Sequence, residues 1–175
     1  MAERPSPGQV GPSGAPADPD RPAARDWSES QERALRMWIA LARCYATYAK
    51  AIACKIQEYG LTPPQFGIIE ALHHLGPLSL GELADKLLVT GGNITYVMDR
   101  LEEQGLVYRE RSPRDRRIIQ AKLTHDGKAL IASVFPSHGS YVEELSGHLE
   151  PEEQEMLRGL LKKLGRAIQD TPAGV

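Results

Sequence analysis

The tightest constraint in this sequence is a helix-start signal that recurs at three places between Leu61 and Ile94. Thr62, Ser79 and Thr90 each offer a side-chain oxygen to the free N–H groups of a helix start. Each is bracketed by an apolar residue just before it and another four residues after it: Leu61 with Phe66, Leu78 with Leu83, and Val89 with Ile94. Such bracketing pairs clamp the angle at which a chain enters a helix. Gln65 and Glu82 stand three residues after the first two caps and close reciprocal capping boxes, and Pro63 suits the first helical position. Gly105 supplies a stop. Short helices are therefore forced here. Leu80, Leu83, Ala84 and Leu87 give one an apolar face, and Ile94, Val97, Met98 and Leu101 give the next its own. Thr90, Gly91, Gly92, Asn93, Thr95, Tyr96, Asp99 and Arg100 are left at the start and on the opposite face of that last helix.

Beyond Gly105 the pattern changes to two strand-like runs, 106–111 and 117–123, rich in β-formers. Ser112-Pro113-Arg114-Asp115-Arg116 makes the turn between them, and Thr124 caps a further helix. Two short helices, a turn and a basic hairpin in that order predict a winged helix-turn-helix over residues 61–125. The predicted fold class is mainly α with a small β-hairpin.

The wing residues also carry a family resemblance. Asp115-Arg116-Arg117 followed by Leu123-Thr124-His125-Asp126-Gly127 resembles the wing signature of the MarR family of bacterial regulators. The likeness extends through Leu61-Thr62-Pro63-Pro64-Gln65-Phe66 and Thr90-Gly91-Gly92-Asn93-Ile94-Thr95, and spans the chain from about residue 30 onward. Within the family the chain resembles members that answer quinones and small phenolics. The resemblance implies a homodimeric DNA-binding regulator, most often a repressor. It also implies that Arg117 enters the minor groove, that Asp115 orients it, and that Arg114 and Arg116 flank the backbone.

On either side lie different materials. Residues 1–27 are dominated by Pro, Gly, Ala and charged residues with no apolar periodicity, and are expected to form a disordered tail. They lack the apolar centre of a secretory signal, and nothing in the chain approaches the ~18 apolar residues of a membrane span, so a cytoplasmic protein is expected. From Ser28 to Tyr59, Leu35, Trp38, Ala42, Tyr45, Ala49, Ile52, Ile56 and Tyr59 recur at helical spacing. Phe66, Ile69, Leu72 and Leu75 should point inward from the next helix. After Gly127, Leu130, Val134, Tyr141, Leu145 and Leu149 mark a helix that Pro136 should kink. A last helix from Pro151 carries Leu157, Leu160, Leu161, Leu164 and Ile168. Residues 28–60 and 126–170 hold more apolar stripe than a small winged module covers, which predicts a two-fold dimer interface built from both ends of the chain.

Charge narrows the partner. The chain is slightly acidic, net −2, which argues against a general polyanion binder. Yet residues 106–122 gather Arg109, Arg111, Arg114, Arg116, Arg117 and Lys122 against Glu110 and Asp115. Alone this reads equally as a solvated hairpin; behind a helix-turn-helix it reads as a footprint on duplex DNA. Gly91 and Gly92 would let the helix start approach phosphate. Asn93 suits an adenine edge, the apolar surface of Thr95 or Tyr96 suits a thymine methyl, and Arg100 suits phosphate.

Trp38, Tyr45, Tyr48, Phe66 and His73 are candidate walls for a small aromatic ligand where the first long helix, the Phe66 helix and the helix after Gly127 meet. Cys44 and Cys54 lie on one helix, ~15 Å apart by rise alone, so they cannot bridge each other. Cys44 is a candidate redox sensor; the plainer alternative is a small buried helix residue. His73 and His74 are adjacent, but no partner stands at metal-ligand spacing. No nucleophile elbow, phosphate loop or carboxylate pair appears, so neither catalysis nor a cofactor is expected. The alternatives to a ligand-released repressor on a palindromic operator are a thiol-switched regulator and a dimeric module that uses the winged unit for protein contacts.

Overall fold

The computed structural model describes residues 27–87, 90–112 and 115–171, in two units, residues 1–41 and 42–175. Its elements in chain order are α1 (Glu29–Glu58), α2 (Pro63–Leu75), β1 (Leu78–Ser79), α3 (Leu80–Leu87), α4 (Gly91–Glu103), β2 (Val107–Arg111), β3 (Ile119–Leu123), α5 (His125–Ser146) and α6 (Pro151–Gln169). Residues 1–26 of the expected tail, Leu88 and Val89 of the helix-turn-helix turn, and Pro113 and Arg114 of the wing lie outside the described residues.

In the first unit α1 starts on a reciprocal pair. The Ser28 N–H donates to Gln31 Oε1 at 2.8 Å and the Gln31 N–H to Ser28 Oγ at 3.2 Å. In the second unit the capping boxes form as their spacing dictates. Thr62 N–H donates to Gln65 Oε1 at 2.9 Å, Ser79 N–H donates to Glu82 Oε2 at 2.7 Å, and Glu82 N–H returns to Ser79 Oγ at 3.2 Å. The bonds from Ser79 hold the Glu82 carboxyl below its ordinary range. Thr90 has the extended backbone of a cap but makes no side-chain cap bond to α4, which corrects the expectation that it would. Its carbonyl does accept from Asn93 and Ile94.

The core sits where α2, α3, α4 and the start of α5 converge, with Ile68, Ile69, Leu83, Ile94, Met98, Leu101 and Ile131 all fully buried. Fully burying one such side chain contributes ~1.5–3 kcal/mol, and this cluster holds the helix-turn-helix together. Leu75, expected inward, is 55% exposed at the end of α2. Leu149 lies beyond the end of α5 and is exposed. In the last helix none of the residues is buried, so the stripe of Leu157, Leu160, Leu161 and Ile168 lies open in the single chain.

The sheet is larger than the predicted hairpin. β1 adds to it antiparallel, giving the order β1-β3-β2, with Leu78 opposite Ala121 and Ser79 opposite Gln120. Thus the residues that start α3 also belong to the wing sheet. β2 pairs with β3 from Val107 opposite Leu123 to Arg111 opposite Ile119.

Where α4 gives way to β2, the chain meets the start of α5. Gly105 has φ of 71°, the left-handed region. The Thr124 N–H donates to the Leu106 carbonyl at 3.1 Å, its hydroxyl donates to the Gly105 carbonyl at 2.7 Å, and the Gly127 N–H donates to Thr124 Oγ1 at 3.0 Å. Gly127 is required here for space, because a β-carbon built on it would fall on the Leu106 carbonyl oxygen.

Gly127→Ala should therefore destabilise the fold by about 3 kcal/mol or more, at or above the upper end of overpacking costs, because a backbone oxygen cannot rotate away. Gly67→Ala meets only the mobile end of Leu87 at 3.2 Å. It should stay within about 1 kcal/mol of wild type, since helix propensity favours Ala over Gly by a similar amount. Urea melts of the two variants check the contrast; equal losses would mean that α5 does not seat on Leu106.

Candidate nucleic-acid interface and the helix junction behind it

Two regions, one exposed and one largely buried, hold the residues that the sequence singles out. The first is the outer face of α4 with the wing. Ile94, Val97, Met98 and Leu101 turn inward, which leaves Gly91, Gly92, Asn93, Thr95, Tyr96 and Arg100 exposed. The Thr95 hydroxyl donates back to the Gly91 carbonyl at 3.1 Å, so its methyl is the part left to face outward. Tyr96 is 61% exposed. The Arg100 guanidinium lies 5.4 Å from its ring centroid and is ion-paired with Glu103 at 2.6 Å. A β-carbon at Gly91 or Gly92 would meet nothing within 4 Å, and neither has a positive φ. The chain's own packing does not ask for glycine at either place.

In the wing, Asp115 organises the turn. Its Oδ1 accepts from the Arg117 N–H at 3.0 Å and from Arg117 Nε at 3.1 Å, while Oδ2 accepts from Nη2 at 3.0 Å. The Ile118 N–H closes the turn on the Asp115 carbonyl at 2.9 Å. A side chain held at two points, with its own backbone N–H bonded to the same carboxylate, is oriented before any partner arrives, and the Arg117 side chain is still 90% exposed. Arg116 is exposed beside it. Arg114 lies outside the described residues.

The basic count of the hairpin overstates its free positive charge. Arg109 turns inward onto Asp99 and Glu102 of α4. Lys122 pairs with Glu110 at 2.6 Å across the two strands, and Arg111 donates to the Arg116 carbonyl at 2.8 Å. These partners lie on other elements, and no spacing in the sequence reveals them.

The second region is the junction along α5. Tyr48 bonds through its hydroxyl to the Val142 carbonyl at 3.4 Å and to Ser146 Oγ at 3.0 Å. Phe66 is buried, its ring centroid 4.5 Å from that of His138, and the exposed His73 lies 6.0 Å from Phe135. Three of the five candidate ligand walls thus abut α5. Tyr45 is exposed, and Trp38, in the first unit, is exposed as well. Sequence reasoning missed Phe135 and His138, which flank Pro136 within α5, and read Tyr59 only as a seam residue. Tyr59 Oη and His138 Nδ1 are both buried without a hydrogen-bond partner among the described residues. Cys44 and Cys54 are both exposed, which removes the buried alternative for the single chain. Among the described residues no cluster of His, Cys, Asp or Glu is placed to hold a metal, and no helix is long and apolar enough to cross a membrane.

Comparison with known proteins places this geometry. A sequence profile of the MarR family matches residues 59–118. The HTH-type transcriptional regulator MhqR of Bacillus subtilis is 37% identical over 134 residues, covering 77% of this chain and 92% of that protein. The transcriptional regulator BldR from Sulfolobus solfataricus superposes with a TM-score of 0.68 at 30% identity, over 80% of this chain and 99% of that one. BpsR of Bordetella bronchiseptica, whose DNA binding is regulated by 6-hydroxynicotinic acid, superposes at 0.67 with 27% identity, over 74% of this chain and 98% of its own.

The wing fork has a titration signature. Hydrogen bonds from the Arg117 side chain, and then from its backbone, hold the Asp115 carboxyl below the ordinary range. A depressed carboxyl contributes its stabilisation above the unfolded-state value and loses it as pH falls through the folded one. The fork should therefore be complete at neutral pH and open only below the usual aspartate range. A carbon-detected NMR titration should find Asp115 depressed in the wild type and less so in Arg117→Ala, where only the backbone bond remains. An ordinary midpoint in both would show that the fork does not form in solution.

Proposed function

The chain belongs to the MarR family of DNA-binding transcriptional regulators, and we propose that it acts as a homodimeric repressor that leaves a palindromic operator when a small aromatic ligand binds. The observation that carries the DNA half of this reading is the paired glycine at the start of α4. Glycine costs up to about 1 kcal/mol in a helix relative to Ala, and here neither packing nor φ requires it. Close approach by an external backbone would account for the pair. In this reading Thr90, Gly91 and Gly92 sit at phosphate, Asn93, Thr95 and Tyr96 face base edges in the major groove, and Arg100 and Arg116 lie along the backbone. Arg117, held by Asp115, enters the minor groove. The open apolar stripes of α1 and α6 support a two-fold dimer, since a second copy is the simplest cover for both. Residues 28–60 and 126–170 would then be the dimerisation region and 61–125 the DNA-binding one.

The ligand half rests on the junction. Among the described residues, buried Tyr59 Oη and His138 Nδ1 have no hydrogen-bond partner beside the rings of Phe66 and Phe135, which suits a flat molecule with its own polar groups. BpsR, similar in fold and sequence, is regulated by such a molecule, 6-hydroxynicotinic acid. A ligand there acts only by binding better to a dimer whose recognition helices no longer match successive major grooves, ~34 Å apart. A second reading, a thiol switch at Cys44, is favoured by the exposure of that thiol.

Selecting a duplex from a random-sequence pool tests the proposal directly. The recovered site should be an inverted repeat bound by a dimer in sedimentation. Asn93→Ala should weaken binding to it by ~1–3 kcal/mol per half-site while changing affinity for scrambled duplex little. Equal losses on both duplexes would demote Asn93 to a backbone contact. Aromatic hydroxy-acids should release DNA from a Cys44→Ser, Cys54→Ser variant as well as from wild type; a variant that stays bound under oxidant or quinone, with reductant restoring wild-type DNA binding, would select the thiol reading.

A further inference from the structure

We infer that Arg109 is the positioning residue that holds the wing at a fixed offset from the exposed face of α4, and so sets the spacing at which the two contact DNA. This rests on the reading of α4 and the wing as the DNA-contacting elements. By residue type Arg109 belongs to the basic hairpin, but its side chain is only 22% exposed and spans from β2 to the recognition helix. Nη1 meets Asp99 Oδ1 at 2.8 Å and Glu102 Oε2, and Nη2 donates to the Thr95 carbonyl at 3.3 Å. Thr95, Asp99 and Glu102 stand four and three residues apart, one stripe along α4 beside the face of Asn93, Tyr96 and Arg100.

Such a grip differs in kind from the packing on the other side of the helix. Ile94, Val97, Met98 and Leu101 hold α4 by apolar contact, which is non-directional and tolerates small rotations and slides. A planar guanidinium engaging three acceptors along the helix tolerates neither. The strand carries the constraint onward. Arg111 lies two residues further along β2, on the same face by strand alternation, and donates to the Arg116 carbonyl at 2.8 Å. Arg116 directly precedes the Arg117 that Asp115 orients. From α4 through Arg109, β2 and Arg111, the tip arginine is connected to the recognition helix by directional bonds.

Arg109 could act in two other ways, and the test separates them. It could touch phosphate itself, or merely cancel the charges of Asp99 and Glu102. The probes are the duplex that wild type selects from a random pool and a scrambled duplex of equal length and composition. Arg109→Met should cut the preference for the selected duplex by about tenfold or more, the size of losing a correctly placed base contact. The slope of affinity against salt should stay that of wild type. Arg109→Lys should not rescue, because a point charge cannot span three acceptors. The triple variant Arg109→Met, Asp99→Asn, Glu102→Gln removes the uncompensated charges and should remain as poor a discriminator.

Recovered discrimination in the triple variant would reduce Arg109 to a neutralising charge and overturn the inference. So would a salt slope shallower by about 0.9, the mark of a lost phosphate contact. Should Arg109→Met melt in circular dichroism, Asp99→Asn at its exposed position removes one arm alone; it should lower discrimination about threefold, and no change there overturns the inference equally. A wild-type chain that selects no duplex removes the DNA reading and this inference with it. One that selects a duplex with Arg109→Met unaffected removes this inference alone.

Discussion

The seat of α5 on the carbonyls of Gly105 and Leu106 is the contact on which the rest of the second unit depends. Four chain segments meet there: the exit from α4, the entry to β2, the exit from β3 and the first turn of α5. Thr124 satisfies two of those carbonyls and caps its own helix with the same hydroxyl. Every partner of that hydroxyl is backbone, so the one side chain in the seat is Thr124 itself, held by three bonds. A displacement of α5 must be passed to the end of α4 or break these bonds outright. That property suits the proposed regulator, whose ligand junction lies further along α5 at Phe135 and His138 and whose reading surface lies on α4. Stiff coupling converts a small shift at one end into a change of helix placement at the other.

Local physics was legible in the sequence, and contacts between distant elements were not. Caps and staples depend on residues within five positions of one another, so the starts of α2 and α3 could be placed from residue type alone. Thr90 shows the limit, since its hydroxyl makes no cap bond although its backbone takes the cap conformation. β1 was invisible because two residues carry no periodicity; its existence depends on the edge that β3 offers. The stripe of α6 was plain in the spacing of its leucines, but what covers it is not written in the chain. In the candidate site, the exposed set on α4 followed from the apolar period of its opposite face. The partners of Arg109, Arg111 and Lys122 did not follow, because charge pairing between elements has no sequence period. His138 escaped for a related reason: it lies on the buried side of α5 against Phe66, and only the packing of α2 on α5 reveals it.

The electrostatics show why a count of basic residues misleads. A hairpin rich in arginine on a chain of net charge −2 reads as a strongly positive surface. Much of that charge is committed internally, to α4, across the strands and to the wing turn. The same residue type thus serves two purposes within a few positions. Arginine suits both, because its fork is directional where lysine's charge is not.

Gln65 carries a constraint on how this sequence can drift. Its side-chain oxygen closes the box at the start of α2, a task that glutamate performs as well. Its amide nitrogen donates to Gln104 Oε1 at 3.2 Å, at the far end of α4. Glutamate has no donor to offer there, so the bond would have to reverse, with the Gln104 amide turned to donate its nitrogen. Substitution at position 65 is therefore filtered twice, once by a local helix start and once by a helix end that is 39 residues away in the chain. Glutamate at position 65 is acceptable only while position 104 keeps a donor, which glutamine supplies by turning its amide over. The two sites are thereby coupled: a carboxylate can stand at either one, but carboxylates at both leave an acceptor facing an acceptor.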